Sequence, residues 1–484
     1  MSRISRRSLL TSGAAAGVLA ASGMSVNAAP RSGGALSVAL AGATPNDSWD
    51  ARTHSGLFMQ VAAHGAVFDC LTEIGPDGAL RGELAESWEA SSDARVWTVN
   101  LRKGVVFHNG KKFGARDVVE SLALHRGVLN TSPAAPLLAP LAEIKVITDH
   151  QIQFILGSSN PDFPYLLADH HLIIYPSGMI ELAMVQGIGT GLYQVEHFEP
   201  GKRLLARRVS EHYKGNSSGF FGEITLLNEA AANARTEMLE TGVVDVISQL
   251  SAHTARESVE NRRVKLHRAQ GNQYISMSLS SDIRPDQKND LMRALRVGIN
   301  RQGLVDEVLL GYGRVAQDTP IGPQNQYFAR DIQSSTYDPD QARFFLRKHG
   351  LDEMNTGALS LPVHDRNARA LSSQGVCTNV ELGHSSGRII EDWALSTFAT
   401  KAGVCGLDSS VSTLISAARS EMDSWRRRTL YQDIQVVMQE TGPMAIPVFA
   451  DHLFASRQTV MQPSTIGNMR TLDNARIAER WWHA

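Results

Sequence analysis

Cysteine is scarce in this sequence. Three occur in 484 residues, Cys70, Cys377 and Cys405, an odd number set far apart. That spacing forms neither a disulfide framework nor a cysteine-built metal site. The three read as small buried hydrophobes. An excess of one charge is lacking too: 47 Lys and Arg face 49 Asp and Glu, for a formal net charge of −2. With no long basic run, a nucleic-acid or anionic-membrane surface is not expected. No repeat and no low-complexity tract stands out. Three motifs that would carry chemistry are also missing: H-E-x-x-H, the P-loop and a catalytic carboxylate pair.

Some near-matches fail on context. Gly215-Asn216-Ser217-Ser218-Gly219 fits G-x-S-x-G, but a nucleophile elbow needs a strand before the serine and a helix after it. Here Phe220-Phe221-Gly222 leads into a strand, so a surface loop is expected. Gly187–Gly191 is glycine-rich without dinucleotide spacing. His170-His171 is the one adjacent histidine pair. Neighbours on a strand point to opposite faces, so a partly exposed pair is expected and not a metal site. Arg426-Arg427-Arg428 has Glu421, Asp423 and Asp433 nearby and reads as a solvated, ion-paired face. No enzyme activity, cofactor or metal is expected.

What is present begins with length. A chain of 484 residues is too long for one hydrophobic core, so two or more lobes are expected. Arg3, Arg6 and Arg7 precede a mildly apolar, Ala/Gly-rich run from Leu9 to about Met24, and Val26-Asn27-Ala28 offers a small-residue cleavage site. Ser5-Arg6-Arg7-Ser8-Leu9-Leu10 resembles the twin-arginine export signal. Residues 1–28 are therefore expected to be an export segment cleaved near Ala28, giving a periplasmic protein. The run is too short and too weakly apolar for a permanent span. No cysteine near the cleavage site indicates a lipid anchor.

Periodicity supplies the elements. Gly34–Ala41 reads as a first strand, Ala43–Thr53 as a polar loop, and Leu57–Phe68 as helical. Trp97, Val99 and Leu101 alternate with polar residues, as on a half-buried strand. Asn109-Gly110 is expected to supply the positive-φ pair of a tight turn. Ile144–Ile147 and Ile152–Leu156 form a hairpin pattern. One helix is expected over Asn289–Gly313 with Asn289 as N-cap. Asp338, followed by proline and then glutamine at Gln341, starts another helix. Val411–Glu440 reads as helix in two pieces, with Asp423 capping the second.

The wording of Glu83–Phe113, ELAESWEASSDARVWTVNLRKGVVFHNGKKF, adds a resemblance. It is similar to the signature of the peptide-type solute-binding proteins of ABC importers, a family that includes dipeptide, oligopeptide and nickel binders. Gly189-Thr190-Gly191-Leu192-Tyr193, Gly242–Val246 and the stretch MRALRVGINRQGLVDEVLLGYG also resemble blocks of that family, with Leu192 in place of its usual proline. The resemblance implies an α/β, two-lobed periplasmic binding protein fold with an extra subdomain and mixed sheets flanked by helices. Lobe 1 would span 29–268, with the subdomain at about 50–185. Lobe 2 would span 269–452, with 453–484 returning to lobe 1. The crossing strands would fall near Leu266–Leu279 and Ala445–Ala455. Lobe 2 is expected to be shortened around 362–408, where the resemblance lapses.

The resemblance also implies capture without reaction. A short peptide would bind between two closing lobes and pass to an inner-membrane ABC permease and its ATPase, from a receptor expected to be monomeric. Candidate ligand contacts are Asn46, Asp47 and Trp49 after the first strand, the backbone of Gly189, Thr190 and Gly191, and Glu391, Asp392 and Trp393. Asp392 is the first candidate for pairing with a peptide amino terminus, Glu391 the second. Alternatives are a receptor for a sugar, opine or metal chelate, with Trp49 and Trp393 as stacking platforms, or a relative that has lost transport.

Overall fold

The structure is a computed structural model describing residues 30–127, 130–259, 261, 263–279, 284–350, 377–384, 391–395 and 409–484. The expected export segment 1–28, Cys405 and most of the stretch 362–408 lie outside the described residues.

One sheet runs through the molecule. Its first strand, β1 (Ala35–Leu40), is apolar in sequence because helices and loops cover both faces. Next come a small hairpin, β2 (Thr72–Ile74) with β3 (Leu80–Gly82), and a four-stranded antiparallel sheet. The latter comprises β4 (Ala85–Ala90), β5 (Val96–Leu101), β6 (Leu141–Thr148) and β7 (Gln151–Leu156), in the order β4-β5-β7-β6. Trp97, Val99 and Leu101 are buried on one face of it, as their alternation predicts.

The main sheet continues with β8 (Tyr193–Glu199), β9 (Arg203–Arg208), β10 (Glu223–Asn228), β11 (Val246–Ile247), β12 (Val264–Leu279), β13 (Gly313–Val315), β14 (Cys377–His384) and β15 (Met444–Arg457). A short ladder, β16 (Val460–Met461) with β17 (Trp482–His483), closes the chain. The strand order is β14-β12-β15-β11-β1-β10-β9-β8, with β13 also on β15. β1 is parallel to β10 and β11; the other pairs are antiparallel.

β12 and β15 join two bodies. Sixteen extended residues reach about 50 Å, enough to pass from one core to another. At one end, Val264, Leu453 and Ala455 pack among residues of the first body. At the other end, Tyr274, Ile446 and Phe449 lie on one face and Ile275, Met277 and Val448 on the opposite face, alternation separating neighbours and a register shift between Ile275 and Met277 moving Ile446 to the face of Phe449. The first face is covered by helices Ser409–Ser420 and Ser424–Thr441, the second by helix Pro285–Gly298. Between the ends the register shifts, between Ala269 and Gln273. Gly271 lies in that irregularity, where a side chain would meet the carbonyl oxygen of Asn468 at 2.1 Å. Glycine is required there for the loop to cross the strand.

Two local expectations are corrected. The helix expected over Asn289–Gly313 starts earlier, with Pro285 in its first turn, and breaks at Ile299, whose backbone is extended. The Asn300 side chain then accepts from the Gly303 N–H at 2.9 Å and caps a new helical segment. In the turn at Asn109-Gly110 only Gly110 has positive φ, at 85°. The Asn109 side chain accepts from the Lys111 N–H and supports the turn from outside that conformation. The caps at Asp338 and Asp423 are formed by their side chains.

Candidate functional site

Residues 391–395 are helical and sit where the two bodies meet. Trp393 is buried in the apolar core of lobe 1, whereas Ala394 and Leu395 join that of lobe 2. The two acids before them have different surroundings. Asp392 is gripped by Arg419 of helix Ser409–Ser420, Nε at 2.9 and 3.0 Å and Nη2 at 2.8 Å. Such a two-pronged, charge-assisted pair neutralises the carboxylate within lobe 2. Glu391 accepts from the Tyr327 N–H at 2.5 Å. Burial pushes its carboxyl up to about 8, against the pull of that hydrogen bond.

Among the described residues one ion pair here crosses between the bodies. Asp162 precedes the short helix Phe163–Leu166 of lobe 1, and Arg427 lies in helix Ser424–Thr441 of lobe 2. Arg427 Nη2 donates to both Asp162 oxygens, at 3.2 and 3.3 Å. Asp423 caps that helix and accepts from the Arg427 N–H at 2.9 Å, which fixes the start of the turn carrying the guanidinium. Arg427 lies 5.7 Å over the Tyr327 ring, which stacks on Tyr431 with centroids 5.6 Å apart. The expected solvated arginine face is therefore corrected at its middle residue. Arg426 and Arg428 are exposed, but Arg427 is buried and its partner is Asp162 rather than a neighbouring helix acid.

A cavity of about 690 Å³ opens on lobe 1, lined by Asp50, Arg52, Thr53, Arg126, Gly127, Asn130 and Thr131. One wall is the turn Ala51–Thr53, capped by Asp50, onto whose carboxylate Arg52 folds back at 2.7–3.1 Å. The other wall follows helix Ala115–Ala123. There Arg126 is braced by the carbonyls of Leu141 and Ala142, at 2.7 and 2.9 Å. Two guanidiniums and one carboxylate make a lining suited to a charged, polar solute.

The other candidate contacts lie elsewhere. Asn46 is exposed in a turn, and Asp47 is engaged within that turn, accepting from the Thr44 N–H and hydroxyl at 3.0 Å each. Trp49 packs against Phe68 and Phe198 and is 1% exposed, so its ring faces belong to the core and not to a stacking platform. Trp393, 2% exposed, is placed likewise. Gly189 and Gly191 do admit a close approach, but to the chain itself. Side chains there would meet the carbonyls of Val67 and Ala66 at 2.0 and 2.3 Å. The Thr190 hydroxyl donates to Asp69 at 2.9 Å. The structure places these three against the chain itself.

A buried ion network in lobe 1 was not expected from the sequence. Lys214 donates to Asp69, Glu83 and Glu479 at 2.9, 2.7 and 2.7 Å. Arg476 joins Glu83 and Glu479, each at 2.7 Å, and reaches His64 at 2.9 Å. Burial alone would raise the Asp69 carboxyl, but Lys214 holds it well below the usual range. The signal was the lysine beside the rejected Gly215–Gly219 motif. That motif is a surface loop whose Ser217 hydroxyl donates to the Lys214 carbonyl.

Comparison with known proteins follows the same outline. The sequence model described as bacterial extracellular solute-binding proteins, family 5 Middle, matches residues 79–374. The nickel-binding periplasmic protein of Escherichia coli K12 is 26% identical over 60% of this chain and 57% of its own length. The chain thus spans under three fifths of that relative. The dipeptide-binding protein of the same strain is 24% identical over 77% of this chain and 81% of its own. The solved structure of the binding protein AgaA from A. tumefaciens R10, in complex with agropinic acid, superimposes with a TM-score of 0.78 at 18% identity. That match covers 93% of this chain and 99% of AgaA. Among the described residues no helix is long and apolar enough to cross a membrane.

Proposed function

Because this chain belongs to the family 5 bacterial extracellular solute-binding proteins, we propose that it is the periplasmic receptor of an ABC importer. It would capture a short peptide between its lobes and present it to an inner-membrane permease. The carrying observation is the meeting of the lobes: two bodies share β12 and β15, and their facing surfaces hold Glu391 and the Asp162–Arg427 pair. Proteins built this way bind by closing about such strands.

Within this reading the acids exchange rank. Asp392 already has a cation in Arg419, whereas among the described residues Glu391 is hydrogen-bonded to a backbone N–H and not to a cation, which suits it to a peptide amino group. A protonated amine beside Glu391 would draw its carboxyl down and pair with it, offsetting the cost of burying both charges. Main-chain hydrogen bonding would supply affinity common to all peptides, and bridging water would tolerate varied side chains.

A second reading is favoured by the arginines of the lobe 1 cavity: an acidic non-peptide solute, such as an opine, whose carboxylate meets Arg126 or Arg52. Mass spectrometry of small molecules released from protein purified out of the periplasm separates the two. Short peptides are expected; an opine-like acid or a sugar in their place would overturn the peptide reading.

A further inference from the structure

Among the described residues, three groups of side chains, all in lobe 1, bring metal-ligating atoms within 4.8 Å of one another. Two of them are already filled. Asp69, Glu83 and Glu479 converge on the Lys214 ammonium. In the group of His64, Cys70 and Glu83, the carboxylate is engaged by Arg476, Lys214 and the Cys70 N–H. The third group, Asp169, His170 and His171, is different.

Asp169 and the two histidines are not on a strand. The Leu172 N–H donates to the Asp169 carbonyl at 2.8 Å, closing a tight turn that brings both rings to one side. Their centroids are 3.8 Å apart, and the residues are 5% and 7% exposed. The expected opposed, partly exposed pair is thereby corrected. His171 Nδ1 lies 2.6 Å from Asp169 Oδ1, and its Nε2 is 2.9 Å from the carbonyl of His54. His170 Nδ1 is 3.7 Å from the same carboxylate oxygen, too far for a hydrogen bond. Among the described residues both His170 ring nitrogens lack a hydrogen-bond partner.

We propose that Asp169, His170 and His171 form a buried site for a divalent transition-metal ion of the zinc type. Two imidazoles and a carboxylate are a zinc-type donor set. Zinc bonds to such groups of about 2.0–2.2 Å place donor atoms roughly 3.3–3.6 Å apart, and the 2.6 and 3.7 Å separations bracket that range. The supporting shell is in place: a ligating histidine characteristically gives its other N–H to a carbonyl, as His171 does to His54. The ion would replace the His171 Nδ1–Asp169 hydrogen bond, the two donor atoms parting to about 3.3–3.6 Å, and the proton of that bond would leave to solvent. His54, His64, Cys70, His125 and Arg470 are the neighbouring groups whose charge reaches the site. Cys70 donates to the Asp169 carbonyl at 3.3 Å and holds the turn, and a water would complete four-coordination. The ion would pin the turn after Phe163–Leu166 to the loop at His54. This site is independent of the solute reading.

The test uses purified protein stripped with a chelator, loaded with zinc alone, dialysed and assayed for metal. One zinc per chain is expected. His170→Ala should retain at least tenfold less, with an unchanged far-ultraviolet spectrum, and His253→Ala, an exposed control, should retain it fully. Wild-type protein that keeps no stoichiometric zinc, or a His170→Ala variant that keeps it, overturns the proposal. A readout needing no substitution is cobalt loading of the wild type. An intense four-coordinate absorption is expected, and a weak six-coordinate spectrum would overturn the proposal even if His170→Ala fails to fold.

Discussion

The buried charges around Lys214 and those around Arg427 follow opposite designs. In lobe 1, Lys214 and Arg476 meet Asp69, Glu83 and Glu479 inside one body, with contacts of 2.7–2.9 Å. At the junction, Asp162 and Arg427 come from different bodies and meet at 3.2–3.3 Å, the acid partly exposed. The first arrangement ties the turn at Asp69 and Glu83 to the C-terminal segment and has no room for a guest. In the proposed function the second joins surfaces that would separate to admit one. Similar residues thus hold a fold in one place and, in the proposed function, would gate a cleft in the other.

The largest effect should come from breaking the closed network. Lys214→Met leaves three carboxylates facing one another in the core and should cost about 3–5 kcal/mol in chemical unfolding. The folded fraction should still bind solute with wild-type affinity; lost affinity without lost stability would reverse the assignment.

The same contrast should appear in pH dependence, with opposite signs. Burial depresses His54, His125 and His452 to about 4. The unfolded chain therefore takes up protons first as pH falls, and stability should drop between about pH 6.5 and 4, by up to about 3 kcal/mol per histidine. Glu391, raised to about 8, is neutral in the folded protein where the unfolded chain is ionised. Its contribution is fullest in acid and is lost as pH rises towards 8. Glu391→Gln should flatten that alkaline decline and leave the acid one unchanged, as followed by thermal unfolding across pH. An identical profile in the variant would remove Glu391 from this role.

A smaller effect is expected at the junction. Arg427→Ala should change global stability by no more than about 1–2 kcal/mol, since Asp162 can turn to water. It should raise the radius of gyration in small-angle scattering and weaken solute binding several-fold. Unaltered scattering together with unaltered affinity would place the pair among ordinary surface contacts. Asp392→Ala is the finer comparison. It removes the two-pronged partner of Arg419 and should reduce peptide affinity less than Glu391→Gln does; the reverse order would restore Asp392 as the amino-group partner.

Much of the fold was legible because its signals are local. The alternation at Trp97, the caps at Asp338 and Asp423, and the hairpin at Thr148 each depend on a few neighbouring residues. The site was less so. Trp49 and Gly189–Gly191 sit in segments that the resemblance pointed to, but whether an aromatic or a glycine faces a guest or its own chain depends on residues far along the sequence. Phe198 claims the Trp49 ring, and the Val67 carbonyl claims the space above Gly189. Arg427 was misplaced for the same reason: its partner lies 265 positions away. The histidine pair was misread through the period of a strand where the chain makes a turn.

Calorimetric titration of the stripped protein with short peptides tests the central claim most directly. Saturable binding of one peptide per chain, weakened in Glu391→Gln, is predicted. Absence of heat with every peptide pool, from a protein that still unfolds cooperatively, would contradict it.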